Sequence, residues 1–311
     1  MISVAIKIGN IGDLRKAELQ LNDREVFDDY DQVVLNSHRE FFNCFTPNDI
    51  DRIYFGPEFC QNMIPNIQDI NLAVEYAKRR GFKVTLVTPT VTDIGIAKIS
   101  ELFERADEIY YVDEVVFNDW GVFRMLSEKY PDIHYICGRL LDKTQRDPRI
   151  NKGSYTDFFT GEGLLYLQSP SLTARSYQEV LTNNKISRVE IDTYPQGIAL
   201  NKESLQNINL SLWYPFGYVT TGRSCIINMM DKNESQKFSL EPGCQRKCRD
   251  YTRLLYKREG SYSSELSSGA YDVNIFGKGN TVFYICKDLD GILKGNKDII
   301  NRLVFQPYLS V

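Results

Sequence analysis

The chain has 311 residues, 42% of them hydrophobic and 25% charged, with a net charge of −4. Those fractions allow a sizeable core and exclude a disordered chain. The acidic balance excludes wholesale coating of nucleic acid, though not a local basic site. No apolar run reaches the length of a membrane-spanning helix. The first residues, MISVAIKIGN, show neither a basic leader nor a small-residue cleavage site. The expectation is a cytoplasmic protein without a transmembrane segment. Its seven cysteines, Cys44, Cys60, Cys137, Cys225, Cys244, Cys248 and Cys286, are then free, buried, catalytic or metal-bound rather than disulfide-linked.

In chain order, residues 3–9 (SVAIKIG) read as a first strand, followed by GNIG, which lacks the third glycine of a dinucleotide fingerprint and reads as a turn. Residues 53–56 form a second strand, opening a loop with Glu58 and Cys60. The stretch 68–80 is an amphipathic helix ended by Gly81; 83–88 is a strand and 94–105 a helix. The run 108–118 reads as one or two strands, 120–129 as a helix and 133–137 as a strand. Residues 139–170 break the rhythm with basic, aromatic and glycine residues. A helix at 174–183 and strands at 188–192, 209–213, 281–285 and 302–306 complete the pattern.

Strands apolar on both faces, alternating with helices, require crossover connections and a covered parallel sheet. The expected fold is α/β, one continuous domain over 1–311. A TIM-barrel-like (β/α) barrel, complete or distorted, is favoured over an open doubly wound sheet. Chemistry would then sit on loops after the C-terminal ends of strands, where Glu58 and Cys60 lie.

Cys225 precedes Cys244 by nineteen positions, and Cys248 follows four later. If that last pair sits on a helix, both sulfurs share a face; Gly243 would let the backbone turn tightly into it. Arg223, Arg246, Lys247 and Arg249 surround these cysteines, and positive charge lowers a thiol pKa. Converging thiolates suit an iron–sulfur cluster or zinc, and spacing alone leaves both open beside ordinary unligated cysteines. Cys60 is the best-placed fourth ligand. Cys44, Cys137 and Cys286 read as packing residues. With only His38 and His134, and without HExxH, GxSxG or a phosphate loop ending in GK[ST], histidine-based zinc proteolysis and several other reaction classes lose support.

Five segments, DRIYFGPEFC (51–60), EVVFNDWGVFRML (114–126), GRLLDKTQRDPR (138–149), LSLWYPFGYVTTGRSC (210–225) and EPGCQRKC (241–248), resemble the U-32 peptidase family in family order. That family covers collagenase-like proteases, RNA hydroxylation proteins and the UbiU/UbiV pair of oxygen-independent ubiquinone hydroxylation. The resemblance is closest to the short UbiV-like branch. It implies a [4Fe–4S] cluster on Cys60, Cys225, Cys244 and Cys248, a UbiU-like partner subunit, and an acidic co-substrate, relatives using prephenate as oxygen donor. Longer members carry a further cysteine soon after the first of the late set. Here IINMM follows Cys225, which weakens any transfer of peptidase or RNA-modifying activity.

Around the centre, Glu58 would contact substrate, carry a proton, cap a helix or pair with a nearby arginine. Asn118 ends a strand where barrel site residues lie, and Asp119 either joins it or caps the following helix. Arg139, Arg146 and Arg149 would grip a carboxylate or form a solvated basic loop. Trp213, Tyr214 and Tyr218 would line an aromatic pocket or pack in the core. The leading expectation is an iron–sulfur protein of oxygen-independent hydroxylation, as enzyme or accessory subunit. A peptidase and an RNA nucleobase hydroxylation protein are the alternatives, RNA being disfavoured by the acidic total.

Overall fold

A computed structural model describes residues 2–18, 29–146, 159–194, 196–200, 202–205, 207–236, 243–255 and 275–311. Eight parallel strands close a barrel: β1 (Ser3–Ile8), β2 (Ile50–Phe55), β3 (Lys83–Thr88), β4 (Val112–Phe117), β5 (His134–Cys137), β6 (Arg188–Asp192), β7 (Asn209–Tyr214) and, last in the chain, Ile300–Phe305, which pairs with both β7 and β1. The architecture is the TIM-barrel-like α/β fold expected from the alternating pattern.

Helices cover the barrel as the crossovers demand. They include α1 (Ile11–Glu18), α2 (Asp29–Cys44), α3 (Ile67–Arg80), α4 (Asp93–Arg105) and α5 (Trp120–Lys129). In β3, Val84 and Leu86 point outward and join Ile70, Ala73 and Val74 of α3 in one core cluster. Val87 points inward, with Ala5, Tyr54, Val116, Ile136, Trp213 and Val304, one residue from each of seven strands. The remaining strand, β6, contributes a carboxyl: Glu190 accepts from Tyr54 Oη at 2.9 Å and Trp213 Nε1 at 2.6 Å. Burial pushes it up to about 7. Beneath this layer, Arg52 and Arg302 both pair with Glu114, at 3.2 and 2.7 Å. Burial alone would raise Glu114, but the two guanidiniums outweigh it and hold it down at about 2.

A second, antiparallel sheet caps the C-terminal mouth. It is built from β8 (Phe216–Thr221), β9 (Arg253–Leu254), β10 (Ile275–Lys278) and β11 (Thr281–Ile285) in the order β8-β11-β10-β9; the barrel strand at Ile300–Phe305 is thus β12. Phe59, Leu140, Phe216, Tyr218, Phe276 and Phe283 fill the space between sheet and barrel.

The structure departs from the sequence reading at several places. Helices α1 and α2 occupy a stretch left unread between residues 10 and 50. Run 108–118 is a single 3-10 turn, Ile109–Tyr111, followed by β4. The irregular segment 139–170 contains the helix Gly161–Gln168, capped by Thr160, whose hydroxyl accepts from Gly163 N. The strand at 281–285 belongs to the capping sheet rather than the barrel.

Candidate functional site at the barrel mouth

The loop after β2 begins at Gly56, whose φ of +114° and close approach to Val87 O leave no room for a Cβ. It carries Glu58, Phe59 and Cys60. Buried at its base, Lys7 Nζ donates to Gly56 O. Desolvation lowers the Lys7 ammonium to about 8, against the opposing pull of Glu58.

Glu58 is held by Arg139, on the loop after β5. Arg139 Nε and Nη2 donate to the two carboxylate oxygens at 2.9 and 2.8 Å, while Nη1 donates to Asp192 Oδ1 at 2.6 Å and to Phe216 O at 2.7 Å. Its guanidinium lies over Trp213, 4.3 Å from the ring centre. Burial would lower the Arg139 pKa, but Glu58 and Asp192 outweigh it and raise it. Arg146 completes the network. Its Nε donates to Asp192 Oδ2 at 2.9 Å, its Nη2 to Arg139 O and Asp142 O, and it stacks on Tyr218 at 4.1 Å.

Glu58, Arg139 and Arg146 are therefore brought together, sealed from solvent and spent on one another and on Asp192. Trp213, Tyr214 and Tyr218 are core residues. Asn118 is fully buried and ties three strand ends: Nδ2 donates to Thr88 O at 2.9 Å and Oδ1 accepts from Leu140 N at 3.3 Å. Asp119 caps α5, accepting from Gly121 N and Val122 N. Arg149 lies outside the described residues.

The seven free cysteines divide by environment. Burial pushes Cys60 up to about 11, with Cys244 and Cys225 adding to it. Burial likewise pushes Cys248 to about 12, and Cys225, Cys60 and Cys244 each contribute. Cys225 is raised by burial, and again by Cys244. Cys248 belongs to one apolar cluster against which Cys60 and Cys225 pack, and Cys244 lies near enough to add to the rise of all three. The other three lie elsewhere. Cys137 meets Tyr177 Oη at 3.3 Å, Cys286 donates to Thr193 O at 2.8 Å, and Cys44 sits near Asp290 and Glu40.

Two local expectations are corrected. Cys244 and Cys248 do not share a helix face: Cys244 is in irregular backbone, and Cys248 is in the 3-10 turn Lys247–Arg249. Gly243, at φ +141°, and Arg246, in the left-handed region at φ 55°, bend the chain instead. Nor do Cys225 and Cys248 sit low: burial raises both, outweighing the opposing Lys232 and Lys278, and the interleaved Lys247 is engaged with Asp231. Among the described residues, no group of three or more His, Cys, Asp or Glu side chains is arranged so as to hold a metal ion. In donor chemistry the four thiols fit a soft metal centre; in position they share a region without forming a closed metal-ion site.

Beside Cys60 opens a cleft of about 480 Å³, with walls that include Gln61, Asn62, Thr90, Asp119, Arg223 and Asn280. It lies at the C-terminal ends of β2, β3 and β4, roofed by the β8 end of the capping sheet. Gln61 Oε1 accepts from Thr92 N and Oγ1 at 2.9 and 3.0 Å, which braces the floor. Sequence reasoning missed Lys7, Asp192 and the cleft residues Gln61, Asn62, Thr90 and Asn280, while Asp119 and Arg223 were noted in other roles. The first two carried a signal, a charged residue near the C-terminal end of a strand, where barrel chemistry gathers; those cleft residues, polar and scattered, carried none. No protein-family model, curated protein or solved structure matches the chain.

Proposed function

We propose that the chain is an iron–sulfur protein taking part in oxygen-independent hydroxylation of an aromatic or related small substrate, as the enzyme or as accessory subunit to a UbiU-like partner. In this reading it is a short, UbiV-like member of the U-32 peptidase family, and Cys60, Cys225, Cys244 and Cys248 hold a [4Fe–4S] cluster. The observation that carries it is that Cys60, Cys225 and Cys248, far apart in the chain, come together in one apolar cluster between the closed barrel and its capping sheet, with Cys244 four residues before Cys248. A cytoplasmic location suits seven unpaired thiols.

Four soft donors suit iron–sulfur or zinc. Between the two, the resemblance of the five segments to the U-32 family favours the iron–sulfur cluster. When bound, such a cluster supplies one-electron chemistry. The remaining work falls to this chain's own residues. The Glu58–Arg139–Asp192 network fixes the loop that carries Cys60. The cleft binds the reactants: Arg223, Asn62 and Thr90 offer donors there, while Asp119 is spent on backbone N–H groups. That surplus of donors suits an acidic co-substrate, with Phe59 and Val91 as apolar contacts. Arg139 and Arg146 act instead as braces.

Anaerobic purification with iron, sulfide and visible-spectrum measurements tests the proposal. The expected chain is coloured and holds about four irons and as many sulfides. A colourless chain with one zinc would sink the cluster reading, and a metal-free chain would sink both metal readings. Co-purification with a UbiU-like partner separates accessory subunit from lone enzyme.

A further inference from the structure

The turn joining β10 to β11 carries no cysteine, yet it holds two loops that do. The Asn280 side chain, 8% exposed, donates from its amide nitrogen to Phe59 O at 2.8 Å and to Gly222 O at 2.6 Å. Phe59 immediately precedes Cys60, and Gly222 lies three residues before Cys225. A side-chain amide has two N–H groups, so each loop can take one. The amide oxygen accepts from the Thr281 hydroxyl at 3.3 Å, which keeps the nitrogen facing the two carbonyls.

The backbone of the same turn extends the grip. Gly222 N donates to Asn280 O at 3.1 Å, and Ile227 N donates to Gly279 O at 3.4 Å. The Cys225 loop is thereby fixed on both sides of its cysteine, and the Cys60 loop at the adjoining residue. Arg139 meets the Cys60 loop at Glu58 and over the Phe59 ring, and meets β8 at Phe216 and Tyr218, seven residues or more before Cys225. The turn at Asn280 is the closer tie.

We propose that Asn280 is a positioning residue that sets the separation of the Cys60 and Cys225 thiols and so preforms one edge of the thiol centre. Its purpose rests on the cluster reading; its geometry does not. Ligands held in place before binding lose less freedom when they bind. The cluster should therefore be held more firmly with the clamp than without it.

Asn280→Asp keeps the side chain's size while turning an acceptor toward two carbonyl oxygens. Tyr284→Phe is the control. It removes a 2.9 Å bond from the same sheet to Thr193 O without touching either cysteine loop. Urea midpoints report whether each variant is folded; if Asn280→Asp is not, Asn280→Ser, which keeps one donor, takes its place. In the cluster-loaded full chain, iron loss to a chelator should be roughly ten-fold faster in Asn280→Asp than in wild type. It should be unchanged in Tyr284→Phe, and an equal acceleration there would overturn the proposal. In the metal-free full chain, cross-linking of Cys60 to Cys225 by a short bis-maleimide, mapped by mass spectrometry, should fall several-fold in Asn280→Asp. Equal yields in the folded variant and wild type would overturn the clamp whatever the iron result. A wild-type chain that takes up no cluster would end the cluster reading, and the cross-link yield alone would then decide the role of Asn280.

Discussion

Arg139 grips Glu58 through two parallel bonds, 2.9 and 2.8 Å long, with both side chains closed to solvent. This pair joins the loop after β5 to a point two residues before Cys60, so the brace and the candidate ligand share one short segment. Arg139→Met would leave Glu58 and Asp192 buried with reduced compensation. Urea unfolding is expected to show a loss of about 3–5 kcal/mol. Arg139→Lys should recover little, since one ammonium cannot replace a planar fork spanning Glu58, Asp192 and Phe216 O. A loss under about 1 kcal/mol for Arg139→Met would contradict the bracing role.

Glu190 gives the fold a pH dependence of known sign. Burial raises its pKa from 4.5 to about 7, so the folded chain keeps a proton that the unfolded chain releases. The contribution is full below about 4.5, is lost as pH rises toward about 7, and amounts to about 3 kcal/mol. Glu190→Gln keeps the shape and should flatten unfolding free energy across that window. Parallel pH profiles for variant and wild type would remove Glu190 as the source.

Asp119 lies on the cleft wall, but its bonds go to Gly121 N, Val122 N and Val91 N. Asp119→Ala should cost about 1 kcal/mol in thermal or urea unfolding, the usual worth of a helix cap. Iron content per folded chain should not change. A metal-content effect larger than the stability effect would return Asp119 to the site.

Arg223 is the cleft's guanidinium. With prephenate as the probe, calorimetry should show Arg223→Ala binding roughly ten- to a hundred-fold more weakly, the worth of a charge-assisted hydrogen bond. The melting temperature should move little, because Arg223 is exposed. Unchanged affinity would place the acidic co-substrate elsewhere.

The barrel was legible because its strands are short apolar runs between amphipathic helices, and that periodicity is local. Strands β3 and β6 and helix α5 begin and end where the pattern puts them. The capping sheet was harder to read. In β8, Gly217 interrupts the strand pattern because the Tyr284 ring occupies the space a Cβ would need; that reason lies about seventy residues away. Pairing of Glu58 with an arginine was among its expected roles, but Arg139 as the partner was not legible, since the two lie 81 positions apart. Cys60 was singled out by its place after a strand. Asn280 was invisible, because its role consists of two carbonyls on loops far away in the chain.

The most direct test compares two single cysteine variants purified anaerobically beside wild type, with iron and sulfide counted per folded chain. Cys60→Ser removes a thiol of the interacting four, whereas Cys286→Ser removes one bonded to Thr193 O outside them. The expected result is loss of most iron and sulfide in Cys60→Ser and retention in Cys286→Ser. Equal retention in both, or equal loss from both, would contradict a cluster held by Cys60, Cys225, Cys244 and Cys248.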